Sequence, residues 1–169
     1  MYRTILLTLS LAFVLFLGWM EPSYGQSVNG YEKTIIFSGY APDQTQLIFY
    51  FTIKGERASS ASAEFIPQGD HDKAKHLNLY LLGKGSPFAK WKGIKLSADA
   101  PKDTTPQEVM YLMADADTDR LYLSDYAGHI ITVLDWHYEG PVNGRGTACT
   151  TCLGKLEAFQ AFRRYFLNG

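Results

Sequence analysis

The two cysteines, Cys149 and Cys152, are the most specific chemical feature of the chain, because they stand three residues apart and no other thiol is present. Such a pair supports three chemistries: a disulfide formed after export, thiol–disulfide exchange, or part of a metal site. A disulfide here would close a loop of roughly four residues and stabilise the fold by about 2 kcal/mol, less than a long loop would. We therefore expect a disulfide that closes a short local loop where a C-terminal helix begins.

The two alternatives for the cysteines each need further groups. Thiol exchange needs a stabilised thiolate, which the start of a helix provides by lowering the thiol pKa, and Cys149 precedes a predicted helix. A metal site needs two more ligands. The imidazoles of the chain are His71, His76, His129 and His137. Covalent haem is not predicted, because Leu153 stands where C-x-x-C-H requires histidine.

A carboxylate and an imidazole come together at the end of the last predicted strand. Asp135 and His137 share one face of that strand at about 6–7 Å, which is close enough for a contact. With Cys149 they stand in an order that could form a carboxylate–imidazole–thiol triad. The alternative is a solvated pair at the strand end beside an oxidised cysteine. We keep Asp135 and His137 as weak site candidates.

Alternating acidic residues at Asp115, Asp117 and Asp119 resemble the first half of a calcium-binding loop in spacing. Arg120 and Tyr126 occupy the positions where an EF-hand loop needs glycine and glutamate. The flanking segments also have strand character. We therefore predict an acidic hairpin turn, with a weak calcium site as the alternative.

The elements that must position these residues are short strands. Apolar runs rich in Tyr, Ile, Val and Leu alternate with Asp- and Gly-rich breaks, which is typical of an antiparallel meander. The predicted strands span residues 33–40, 46–54, 76–82, 91–97, 109–114, 120–124 and 129–136. The Ala- and Ser-rich residues 58–63 fit either an eighth strand or a loop. The fold class is therefore mainly β, an antiparallel sandwich or small barrel, and a barrel could hold a small apolar ligand.

The C-terminal segment has a different period. Large apolar side chains recur there at helical spacing. They are Leu153, Leu156, Phe159, Phe162 and Phe166. We predict one amphipathic α-helix over residues 153–167 that packs its apolar face on the sheet and closes it. The alternative is that this stripe is a surface for a partner.

The N-terminal segment predicts export. Arg3 precedes an apolar run over residues 5–19, and small residues before Gln26 predict cleavage after Gly25. An uncleaved membrane anchor is the alternative, although roughly 15 residues are short for a span of about 20. Residues 1–25 are thus a signal peptide, and residues 26–169 form one domain that is secreted or periplasmic. No further transmembrane segment is predicted.

Composition indicates which partners to expect. Loss of Arg3 and Glu21 from 16 basic and 17 acidic residues leaves the net charge at −1. This balance gives no indication of nucleic acid or of an anionic membrane as partner, and no cofactor is predicted. We expect an exported, non-catalytic protein that binds a small ligand or protein partner, or structures the cell envelope. The alternative is a thiol-redox or metal-dependent enzyme centred on Cys149, Cys152 and His137.

Overall fold

Eight antiparallel strands close into a barrel in the computed structural model, which describes residues 31–115, 118–137 and 149–168. Each strand pairs with the next in the chain, and the last pairs with the first. They are β1 (Glu32–Tyr40), β2 (Gln46–Lys54), β3 (Arg57–Ile66), β4 (Lys75–Lys84), β5 (Lys92–Ser97), β6 (Met110–Ala114), β7 (Leu121–Ser124) and β8 (Ile130–Trp136). The predicted fold class is confirmed in its barrel form. The predicted signal peptide lies outside the described residues.

The Ala- and Ser-rich segment is a strand, β3, because its small residues face the largest side chains of β2. Ala61 lies opposite Phe51, and Ala63 lies opposite Phe49. Both alanines are buried in the barrel interior together with these two rings. A methyl group opposite a phenyl ring keeps the interior close-packed where two large side chains would collide.

Strand β2 is covered on both faces, as its uninterrupted apolar sequence indicates. Alternate residues, including Phe49 and Phe51, point into the barrel. On the outer face, Ile48 forms a second buried cluster with Ile36 and Ile66. Side chains from the β3–β4 connection and the C-terminal segment pack against this outer cluster.

The barrel wall is completed between β8 and β1 by the C-terminal segment. Strands β1 and β8 share two register pairs, Phe37–Trp136 and Ser38–Asp135. Beyond them, the amide of Thr34 donates to the carbonyl of Thr151 at 2.9 Å, and the amide of Leu153 donates to the carbonyl of Thr34 at 2.9 Å. Residues 151–153 therefore continue the wall where β8 has ended.

Gly39 permits the close approach of β1 and β8. A Cβ atom at this position would overlap the carbonyl oxygen of Val133 and lie 2.9 Å from the Thr132 hydroxyl oxygen. Glycine is therefore required by space at this junction, and the junction is where the sheet becomes a barrel.

Candidate functional site

A C-terminal helix lies across one end of the barrel and fills it. Helix α1 (Lys155–Phe162) continues as a π-helical turn (Arg163–Leu167), and we call the two together the lid helix. The ring of Phe162 lies 5.6 Å from that of Phe37 and 5.0 Å from that of Phe51, centroid to centroid. Phe159 and Phe166 are buried in the same cluster. The predicted packing of the helix is confirmed.

One residue of the predicted apolar stripe is not in the core. Leu156 is 63% exposed, whereas Phe159 and Phe162 are buried. The first helical turn faces solvent, because residues 154–157 are all exposed and burial begins at Ala158. The prediction that all five stripe residues face the core is therefore wrong for Leu156.

The acidic turn between β6 and β7 is bound by a cation of the protein itself. The guanidinium Nη2 of Arg163 donates to the carbonyl oxygens of Asp115 at 3.2 Å and Thr118 at 2.6 Å. Its Nη1 lies 3.4 Å from the Asp119 carboxylate. Asp117 lies outside the described residues. Within the part of the chain that the structure describes, no cluster of three or more His, Cys, Asp or Glu side chains could hold a metal.

A cavity of about 290 Å³, here called the rim cavity, opens beside Arg163 between the lid helix and strands β5 and β6. Lys90 and Lys92 line it together with Arg163. The ammonium of Lys92 donates to the side-chain oxygen of Asn168 at 2.9 Å, and that of Lys90 lies 5.1 Å from the centre of the Trp91 ring. The cavity is thus small, and three cationic residues line it together with one acidic residue, Asp115.

Cys149 and Cys152 form a disulfide, with their Cα atoms 5.4 Å apart. Because the helix begins at Lys155, neither sulfur lies in its first turn. The helix dipole therefore cannot activate Cys149 as the sequence predicted, because Cys149 lies outside the first turn. Cys152 instead packs against the outer isoleucine cluster and forms a β-bridge with Thr34. The disulfide thus closes a local loop in the segment that the β-bridge attaches to the barrel wall.

Replacing both cysteines by serine distinguishes a structural disulfide from the thiol-redox alternative. The Cys149→Ser/Cys152→Ser protein is expected to lose about 2 kcal/mol of unfolding free energy, because the short loop restricts the unfolded chain only modestly. We expect it to keep its fold, as measured by circular dichroism, and urea denaturation measures the loss of stability. An insulin-reduction assay in which the wild type turns over and the variant is inactive would instead establish the thiol-redox enzyme.

The structure gives Asp135 and His137 different partners. The Asp135 carboxylate lies 3.3 Å from the ammonium of Lys155, and the Nδ1 of His137 shares a 3.0 Å hydrogen bond with the hydroxyl of Ser38. Cys149, the third member of the predicted triad, is oxidised. Sequence reasoning missed Ser38, because only the pairing of β1 with β8 brings it to this site.

A carboxylate–imidazole pair is present at the opposite end of the barrel, in the turn between β7 and β8. The Asp125 carboxylate lies 2.9 Å from the Nδ1 of His129. The hydrogen bond with the His129 side chain lowers the pKa of Asp125 from its ordinary value. Both groups are solvent-accessible, so this pair shapes the turn rather than a pocket.

Three aromatic side chains, Phe88, Trp91 and Tyr122, form a cluster on the outer wall. The β4–β5 connection folds back so that the Trp91 ring stacks on Tyr122 at 4.5 Å and meets the edge of Phe88 at 5.0 Å. The indole nitrogen of Trp91 is buried and has no hydrogen-bond partner among the described residues. This cluster stabilises the outer face of β7.

Fold and site together define a closed, eight-stranded antiparallel meander barrel whose end is filled by its own C-terminal helix. No protein family, curated protein or solved structure matches this chain. Function must therefore be argued from the site itself.

Proposed function

We propose that this is a non-catalytic binding protein that acts outside the cytoplasm and engages its ligand or partner with the surface and rim of the barrel. The observation that carries the proposal is the filled interior. Three phenylalanine rings of the lid helix occupy the space in which an eight-stranded barrel could hold a small ligand, and they pack on rings of β1 and β2. The binding surface is therefore expected on the outside of the barrel.

Two further features favour binding over catalysis. Both thiols are consumed by the disulfide, so neither is a free nucleophile in this state. The predicted acid–base pair is engaged elsewhere, because Asp135 faces Lys155 and His137 faces Ser38. The disulfide also suits an oxidising compartment, which agrees with the predicted signal peptide.

An apolar fluorescent probe tests whether the interior is closed. We expect wild-type protein titrated with N-phenyl-1-naphthylamine to show no saturable binding, since the lid phenylalanines leave no room. Phe162→Ala removes one phenyl ring and should open a site for one benzene molecule, as measured by titration calorimetry, and Leu156→Ala should bind no benzene because that side chain is already exposed. If Phe162→Ala fails to fold, the naphthylamine titration of the wild type still decides whether the interior is closed. One-to-one binding to the wild type would establish an interior ligand site and overturn the proposal.

A further inference from the structure

The charged residues of the barrel are segregated between its two ends. We call the half with the lid helix the lid end. It comprises residues 32–36, 51–59, 82–95, 112–123, 133–137 and 149–168, less the undescribed 116–117. Among the described residues it holds eleven of the fourteen Lys and Arg side chains but six of the fourteen carboxylates, a net charge of +5. The other half holds three lysines and eight carboxylates, a net charge of −5. A total near zero therefore conceals a strong separation along the barrel.

Large apolar side chains are exposed at the same basic end, and two of them are the most exposed of their kind among the described residues. Leu156 is 63% exposed on the first turn of the lid helix, and Tyr31 is 75% exposed where β1 begins. Lys155 directly precedes Leu156, and Lys33 follows Tyr31 by two residues, with Glu32 between them. Exposed Leu and Tyr side chains among Lys and Arg are the combination that binds the interface of a bilayer, where apolar groups enter and cations remain with the phosphates.

Two small cavities flank the lid helix, and both are lined by cationic side chains. The rim cavity of about 290 Å³ contains Lys90 and Lys92 on one side, and a cavity of about 250 Å³ contains Lys33 and Arg164 on the other. Among the described residues, none of these four side chains forms an ion pair with a carboxylate. Asp115 also lines the first cavity and Glu157 the second, so the formal charges of the lining residues, with Arg163 counted in the first, sum to +2 and +1. The helix carbonyls at the end of the lid contribute about half a negative charge, which these sums still exceed. Each cavity can therefore receive one anionic group.

We propose that the lid end is a peripheral membrane-binding face that docks on a bilayer containing anionic phospholipid. Lysine and arginine side chains of the two cavities meet lipid phosphates, and Leu156 and Tyr31 enter the headgroup layer. The acidic end points away from the bilayer, because it would be repelled by the same charge. This proposal rests on the proposed function, in which the protein binds with its outer surface, and it names an anionic bilayer as the partner. The net charge of −1 indicated no such partner because net charge does not record position.

Vesicle co-sedimentation of the chain that begins at residue 26 tests this face. We expect binding to vesicles of phosphatidylcholine mixed with phosphatidylglycerol, weaker binding at high salt, and little binding to phosphatidylcholine alone. Reversing Lys33, Lys90 and Arg164 to Glu should weaken binding by at least ~10-fold. The control reverses Lys73, Lys75 and Lys102 at the acidic end, with the same change in net charge, and should leave binding within about twofold. All six side chains are exposed.

Further measurements distinguish a membrane from other anionic ligands. Leu156→Ser should weaken vesicle binding several-fold while leaving the fold intact, since that side chain makes the apolar contribution. Equal effects of the two triple reversals, or equal binding to both kinds of vesicle, would overturn the proposal. So would release by inorganic phosphate beyond the effect of chloride at equal ionic strength, which would indicate a free-phosphate site. Tight binding to polyglutamate with no effect of Leu156→Ser would assign the face to an acidic polymer and also overturn it. The naphthylamine titration is independent of all these results, so failure here is distinguishable from failure of the proposed function.

Discussion

Phe162→Ala is expected to lower the free energy of unfolding by about 3–5 kcal/mol, the largest effect that we predict for any single substitution in this protein. The Phe162 side chain is fully buried, and its ring contacts those of Phe37, Phe51 and Phe166. Removing it deletes apolar contacts from both the lid helix and the barrel, and the surrounding wall can relax only partly. Urea denaturation followed by tryptophan fluorescence measures the change.

The matched control for Phe162→Ala lies on the same helix. Leu156→Ala removes a comparable apolar side chain that is exposed, so its effect should stay within about 0.5 kcal/mol. Loss of less than about 1 kcal/mol in Phe162→Ala would contradict the packing described here, because a buried ring with three aromatic neighbours cannot be removed so cheaply.

Arg163→Ala is expected to lower the free energy of unfolding by about 2–3 kcal/mol. The guanidinium donates to the carbonyls of Asp115 and Thr118 and lies beside the Asp119 carboxylate, so its removal leaves half-buried acceptors without their donor. It also detaches the end of the lid helix from the β6–β7 turn. Thermal unfolding monitored by circular dichroism provides the measurement.

The neighbouring residue provides the control for Arg163→Ala. Arg164 carries the same charge but is exposed and lies over the ring of Tyr165, so Arg164→Ala should change stability by no more than about 0.5 kcal/mol. Added calcium should not raise the melting temperature of the wild type, because Arg163 already binds the carbonyl oxygens of Asp115 and Thr118 and the Asp119 carboxylate. Equal losses for the two arginine variants would show that charge, and not the contact with the turn, is responsible.

One side of the lid helix packs in the hydrophobic core, and the other side faces solvent. Phe159, Phe162 and Phe166 are buried in the barrel, whereas Leu156 and Arg164 lie on the exposed side. Any partner that touches the exposed side therefore contacts an element that is part of the hydrophobic core. This rigid backing is what a surface-binding protein needs, because little conformational entropy is lost when the face is occupied.

Local pattern was sufficient to predict most of the strands. The boundaries of β2 agree with the predicted residues 46–54, and β8 begins one residue later than predicted. These segments are long, apolar and rich in β-branched and aromatic residues, so propensity and periodicity agree. Residues 58–63 were ambiguous, because small side chains favour no particular conformation alone. Their strand identity depends on Phe49 and Phe51 across the sheet.

Contacts between distant parts of the chain could not be predicted in the same way. Whether eight strands make a sandwich or a barrel depends on how β1 meets β8, and that requires the space at Gly39. The contact of Ser38 with His137 depends on the same closure. The contact of Arg163 with the β6–β7 turn could not be predicted either, because it depends on where the lid helix lies on the barrel. Each of these features combines segments whose proximity no local pattern records.

Hydrogen exchange of the lid-helix amides tests the central claim most directly, namely that this helix is part of the barrel core. We predict that the amides of the buried lid residues exchange only through global unfolding, with the same free energy as the central amides of β2. Faster exchange of the lid, by two or more orders of magnitude while β2 stays protected, would contradict the account. The helix would then be a detachable arm, and the barrel interior would be open to a ligand.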